Sequence, residues 1–140
     1  MADSLEAVQR RAAAAFRRSM NLLRANLSPS QLAKLDATGY ITVIGSDTGW
    51  IYSIHSEIRD LRVEVPEIGY QLYLCYAVPT VPQPDNALAL KWAFEFDELR
   101  HLKRIGPAQL PRICWERVLK LDRARRELPV QQAMWAGMAW

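Results

Sequence analysis

Apolar positions recur with a helical period at both ends of the 140-residue chain and with a two-residue period in its middle, so helices are expected to flank a sheet. Ser4 is placed to cap a first helix over residues 4–27, which sets Leu5, Ala12, Phe16, Met20, Leu23 and Leu27 on one face. "NLSPS" stops that helix, and Ser28 with Pro29 starts a short second one over residues 29–36, which Gly39 ends. "YITVI", "WIYSIH", "DLRVEV" and "YQLYLCYAV" are rich in β-branched and aromatic residues and read as strands. In the last of these Leu72, Leu74 and Tyr76 face one way, and Tyr73, Cys75 and Ala77 the other. Short polar connections between the four predict an antiparallel meander over residues 40–78.

The first connection, "GSDTG", could reverse the chain or cradle a ligand. A phosphate-binding loop leads into a helix and brings a lysine, whereas this one leads into a strand and brings Trp50, so chain reversal is expected. After the prolines of "PTVPQPD", a cap at Asp85 or Asn86 opens "NALALKWAFEFDELRHLKRIG", read as one helix over residues 86–104. On it Leu88, Trp92, Phe96, Leu99 and Leu102 form one apolar stripe, and Leu90 with Phe94 a second; a helix apolar on two sides packs between layers or into a partner. A final helix over residues 110–128 carries Leu110, Ile113, Cys114, Val118, Leu121 and Ala124 on one face and stops before Pro129. Residues 1–128 thus form one α+β domain, a four-stranded antiparallel meander packed with N-terminal and C-terminal helices. Residues 129–140 form an uncharged tail with Met134, Trp135, Met138 and Trp140, which either folds back or holds a partner.

Charge changes this picture. The formal net charge of +3 conceals five arginines against two acids in residues 1–26, four basic against ten acidic residues in 27–99, and nine against three in 100–128. Basic ends on an acidic middle either satisfy one another internally or attract a partner of negative charge. Arg10, Arg17 and Arg24 recur every seven residues beside the first apolar stripe, and Arg112, Arg123 and Arg126 lie opposite the stripe of the last helix. Two cysteines are too few for a disulfide scaffold or a thiolate zinc site, and no window is long and apolar enough to span a bilayer. A cytoplasmic protein without membrane contact is expected.

Chemistry is sparse. His55 and His101 fall at no metal-ligand spacing; of the acid groups at Glu95, Asp97 and Glu98 and at Glu64 and Glu67, the first, adjacent on one helix, is expected to face water. No nucleophile motif is present, so no catalytic residue, metal or cofactor is assigned. Tyr40, Tyr52, Tyr70 and Tyr73 lie on strands where bases could stack, which together with the arginines keeps DNA or RNA open as a partner.

"LLRANLSPSQ", "GYITVIGSDTGWIYSI" and "LCYAVPTVPQPDNALALKWAFEFDE" resemble, in order, a family of small uncharacterised bacterial and phage proteins. The matching positions are Leu27, Pro29 and Gln31; Gly45, Thr48 and Gly49; Cys75; Pro82 and Asp85; Leu88, Ala89 and Lys91; and Glu95. The resemblance implies a helix over residues 86–104 and no activity. The chain departs from it at Trp50, where a basic residue is common, and at Ala77, where a histidine is common. The expectation is a non-enzymatic interaction module, phage-encoded or a subunit of a larger assembly. It would meet an acidic protein surface through Arg10, Arg17, Arg24, Arg112, Arg123 and Arg126, with Trp135 and Trp140 as anchors; nucleic-acid binding through the same arginines is the alternative.

Overall fold

A computed structural model describes the backbone of residues 4–138 apart from Pro79, and side chains through residue 127. The element order is α1 (Leu5–Ala25), α2 (Pro29–Thr38), β1 (Tyr40–Ile44), β2 (Ile51–His55), β3 (Leu61–Val65), β4 (Tyr70–Leu74), α3 (Gln83–Phe96), α4 (Glu98–Ile105) and α5 (Arg112–Met138). The fold is α+β, with helices before and after a four-stranded antiparallel sheet of order β1-β2-β3-β4. None of the described helices is long and apolar enough to cross a membrane.

Local chemistry explains the helix ends. Ser4 Oγ accepts from Ala7 N at the start of α1. Ser28 and Gln31 form a reciprocal capping box on α2, with Pro29 at its first position. Gly39 ends α2 in the left-handed conformation (φ 79°), where a side chain would also collide with the His55 ring.

The sheet alternates as its sequence does. Ile41, Val43, Tyr52, Ile54, Leu61, Val63, Val65 and Leu74 are buried on one face, beneath Leu23 of α1, Leu88, Leu90 and Phe94 of α3, Leu99 and Leu102 of α4 and Val118 of α5. Tyr52 stacks on Phe94 with ring centroids 4.0 Å apart, which joins the sheet to α3. Both sheet edges have their ends dressed by side chains. On β1, Gln31 Nε2 donates to Thr42 O; beyond the end of β4, Gln109 accepts from Cys75 N and donates to Cys75 O.

Five expectations are corrected. The last strand, expected to run to Val78, ends at Leu74, and the chain turns to α3, with Val78 N donating to Asn86 Oδ1. The helix expected over residues 86–104 is two, broken at Asp97, and its first begins at Gln83 rather than at Asp85 or Asn86. Asp85 instead accepts the Ser19 hydroxyl. The stripe of Leu88, Trp92, Phe96, Leu99 and Leu102 is not one face: Trp92 and Phe96 are 44% and 72% exposed, while Leu90 and Phe94 face the core. α5 starts at Arg112 rather than residue 110 and runs on through Pro129 to Met138 instead of ending at residue 128. Finally, Glu98 is fully buried rather than turned to water.

Candidate interaction surface

The only buried acid among the described residues lies at the break between α3 and α4. One oxygen of Glu98 accepts from Asp47 N and Thr48 N at 2.9 and 2.7 Å, and the other accepts from Thr48 Oγ1 and Tyr52 OH at 2.6 Å each. The turn of "GSDTG" therefore binds a carboxylate, one supplied by the chain itself. The same turn closes both helix ends. Ser46 N donates to Phe94 O at the end of α3, Ser46 Oγ accepts from Glu98 N, and Asp47 Oδ2 accepts from Leu99 N at the start of α4. Burial, and then the charge of Glu98, raises the Tyr52 phenol well above its usual pKa. With every Glu98 contact internal and no solvent access, this cluster is a fold-holding node rather than a site for substrate.

The histidines are separate. His55 Nδ1 accepts from Glu57 N and Ile58 N, which ties the ring into the β2–β3 turn. His101 on α4 lies 2.6 Å from the Tyr76 hydroxyl, and burial lowers its pKa from 6.5. It borders a hollow of about 350 Å³ between residues 76–78 and α3, lined chiefly by Ala77, Val78, Ala89, Leu90 and Ala93. Among the described residues no group of three His, Cys, Asp or Glu side chains is placed to hold a metal ion.

Exposed features concentrate on the helices. Ser19 meets Asp85 in the first turn of α3, and Gln31, just past α1, meets Glu95 near the end of α3. The two helices therefore run in the same direction, and the residues of α1 before Ala15 extend past the start of α3 by roughly 15 Å. Leu5 and Val8, on that extension, are 74% and 46% exposed, and Phe16 at its base is also exposed. Arg10 and Arg17 are exposed on a different side of the same helix and form no ion pair among the described residues.

The other predicted site residues divide. Arg24 donates to both oxygens of Asp36, whose carboxyl is held below its usual pKa chiefly by that hydrogen bond. Arg112 pairs with Glu116 and Arg126 with Asp122, which also receives Lys103. Arg123 is exposed without an ion pair among the described residues. Trp140 and the side chain of Trp135 lie outside the described residues. The basic ends thus partly satisfy acids nearby and partly do not; of the predicted site residues, Arg10, Arg17 and Arg123 have no ion pair among the described residues.

The strand tyrosines divide as well. Tyr52 is core, while Tyr70 and Tyr73 are exposed on β4. Arg62 lies over the rings of both Tyr40 and Tyr73, at 5.4 and 4.9 Å from their centroids, and pairs with Asp60, which accepts the Tyr40 hydroxyl. Sequence reasoning missed the exposed pair Trp92 and Phe96. The signal was present: of two apolar stripes on one helix, only one can face a single core. No family model, no curated protein and no solved structure matches this chain.

Proposed function

We propose that this chain is a non-enzymatic interaction module, phage-encoded or a subunit of a larger assembly, that meets an acidic protein surface through its unpaired arginines. The observation that carries the reading is the extension of α1 beyond the body. It presents Leu5 and Val8 to solvent on one side and, farther round the helix, Arg10 and Arg17, which have no carboxylate to answer them among the described residues. An amphipathic helix end of this kind gains by laying its apolar stripe in a groove, with flanking charge setting approach and register. Trp92 and Phe96 offer a second exposed apolar pair of the sort that anchors interfaces. Two free thiols, Cys75 exposed and Cys114 buried, suit a reducing cytoplasmic setting.

The test is capture of the tagged chain from its native lysate with and without nuclease, repeated with Arg10→Glu and Arg17→Glu. Protein partners that survive nuclease and are lost on charge reversal support the reading. Capture unaffected by both reversals removes α1 from it. Retention of nucleic acid that collapses with nuclease replaces it by nucleic-acid binding through the same arginines, which would then weaken steeply with salt.

A further inference from the structure

β4 is one of the two edges of the sheet. His55 N donates to Asp60 O, so residues 60, 62 and 64 turn their backbone groups toward β2, and 61, 63 and 65 turn theirs toward β4. In β4 it follows that Tyr70, Leu72 and Leu74 are bonded to β3, while the N–H and C=O of Gln71, Tyr73 and Cys75 point away from the sheet. Gln109 satisfies both groups of Cys75, at 2.7 and 3.0 Å. Nothing among the described residues meets those of Gln71 and Tyr73. The strand itself, Tyr-Gln-Leu-Tyr-Leu, has no charge, no proline and no bulge, the devices by which edge strands ordinarily avoid pairing.

We infer that β4 is the interface with a second copy of this chain, the two β4 strands pairing antiparallel about a twofold axis at Leu72 to give one eight-stranded sheet. Each Gln71 then faces the other copy's Tyr73, and the four open N–H groups find the four open C=O groups. Leu72 meets its own symmetry mate in a non-hydrogen-bonded position and continues the apolar face of the sheet from one copy to the next. Register selects a second copy over a longer extended peptide. In this pairing Gly69 of the other copy would face Cys75, where Gln109 closes the edge. The partner strand has by then entered its own turn, residues 66–69, and leads away. A peptide that continued straight would run into Gln109. The strands carry no charge to repel one another. This inference is independent of the proposed function, since it uses neither α1 nor the arginines.

The test uses the full chain and sedimentation across a concentration series, with disulfide trapping in a Cys75→Ser background. Non-hydrogen-bonded antiparallel partners have Cα atoms about 4.5 Å apart, within reach of a disulfide. Leu72→Cys is therefore expected to form a covalent dimer on oxidation, and Tyr73→Cys, which faces Gln71 and not itself, is not. Tyr73→Pro removes an outward N–H and the ring beneath Arg62 but no internal backbone bond, so it should leave the fold intact by circular dichroism while weakening association about tenfold. Gln71→Lys, which keeps every internal backbone bond, should also weaken it. A chain that stays monomeric with no selective Leu72→Cys trapping overturns the proposal and leaves the edge to an extended segment of another protein. A dimer that tolerates Tyr73→Pro and does not trap at residue 72 overturns it equally.

Discussion

Gly45 and Glu98 lie far apart in the chain and need each other. A Cβ at Gly45 would sit 2.5 Å from one oxygen of Glu98 and nearer still to the other, whereas at Gly49, whose φ is 73°, it would meet nothing within 4 Å. Gly45→Ala is therefore expected to cost about 2–3 kcal/mol through overpacking, and Gly49→Ala only about 1–2 kcal/mol of backbone strain. Glu98→Ala strands four donors and should cost about 3 kcal/mol or more, while Glu98→Gln, whose oxygen keeps the two N–H donors and whose amide can donate to both hydroxyls if they turn, should cost about 1–2 kcal/mol. The decisive measurement is a double-mutant cycle in urea: once Glu98 is Ala, Gly45→Ala should cost little. Additive costs would show that the close approach is not what demands glycine at Gly45. His101 gives a second residue-scale expectation. Burial holds its pKa below 6.5, so the unfolded chain takes up the proton first as pH falls. Stability from this group is full above about pH 7 and declines below about pH 6.5. His101→Gln should flatten the urea midpoint between about pH 7.5 and about pH 5.5 relative to the parent; an unchanged slope would mean that His101 does not contribute it.

At the scale of elements, what was legible in the sequence had a local cause. The four strands, their turns and the starts of α1 and α2 follow from alternation, β-branching, Ser4, and Ser28 with Pro29. The break at Asp97 was not legible, because what stabilises it is remote: Ser46 and Asp47, roughly fifty residues away, satisfy the backbone groups freed there. For the same reason Glu98 looked like one more solvated acid beside Glu95 and Asp97. Of the candidate site, the arginine rows were legible as spacing, and so were the acids one turn from Arg112 and Arg126, but not the partner of Arg24, since Asp36 reaches it from another helix. Long-range capping also makes a prediction. Asp47→Ala removes the acceptor of Leu99 N and should cost about 1–2 kcal/mol, as loss of a helix cap does. In hydrogen exchange it should raise the rate in α4 without touching α2. Protection lost uniformly would mean that the turn and α4 do not behave as one unit.

At the scale of the molecule, charge is distributed so that some cations are already neutralised and others are not, and association should read that difference. Arg24, Arg112 and Arg126 each face a carboxylate, so an acidic partner gains little from them without first separating an existing pair. Arg10, Arg17 and Arg123, with no ion pair among the described residues, carry no such cost. If an acidic surface is the partner, Ala substitution at Arg10 or Arg17 should weaken binding several-fold and lessen its salt dependence, while Ala at Arg24 should change it less than twofold. The extension of α1 sharpens the expectation. Backbone amides of residues 5–14, with no packing against α3, should exchange rapidly in the free chain and those of residues 19–25 slowly, because Leu23 is buried and Ser19 is tied to Asp85. Addition of the captured partner should slow the first group. A partner that slowed only the second group, or one indifferent to Arg10 and Arg17 but sensitive to Arg24, would show that binding uses the body of the domain and not its projecting helix.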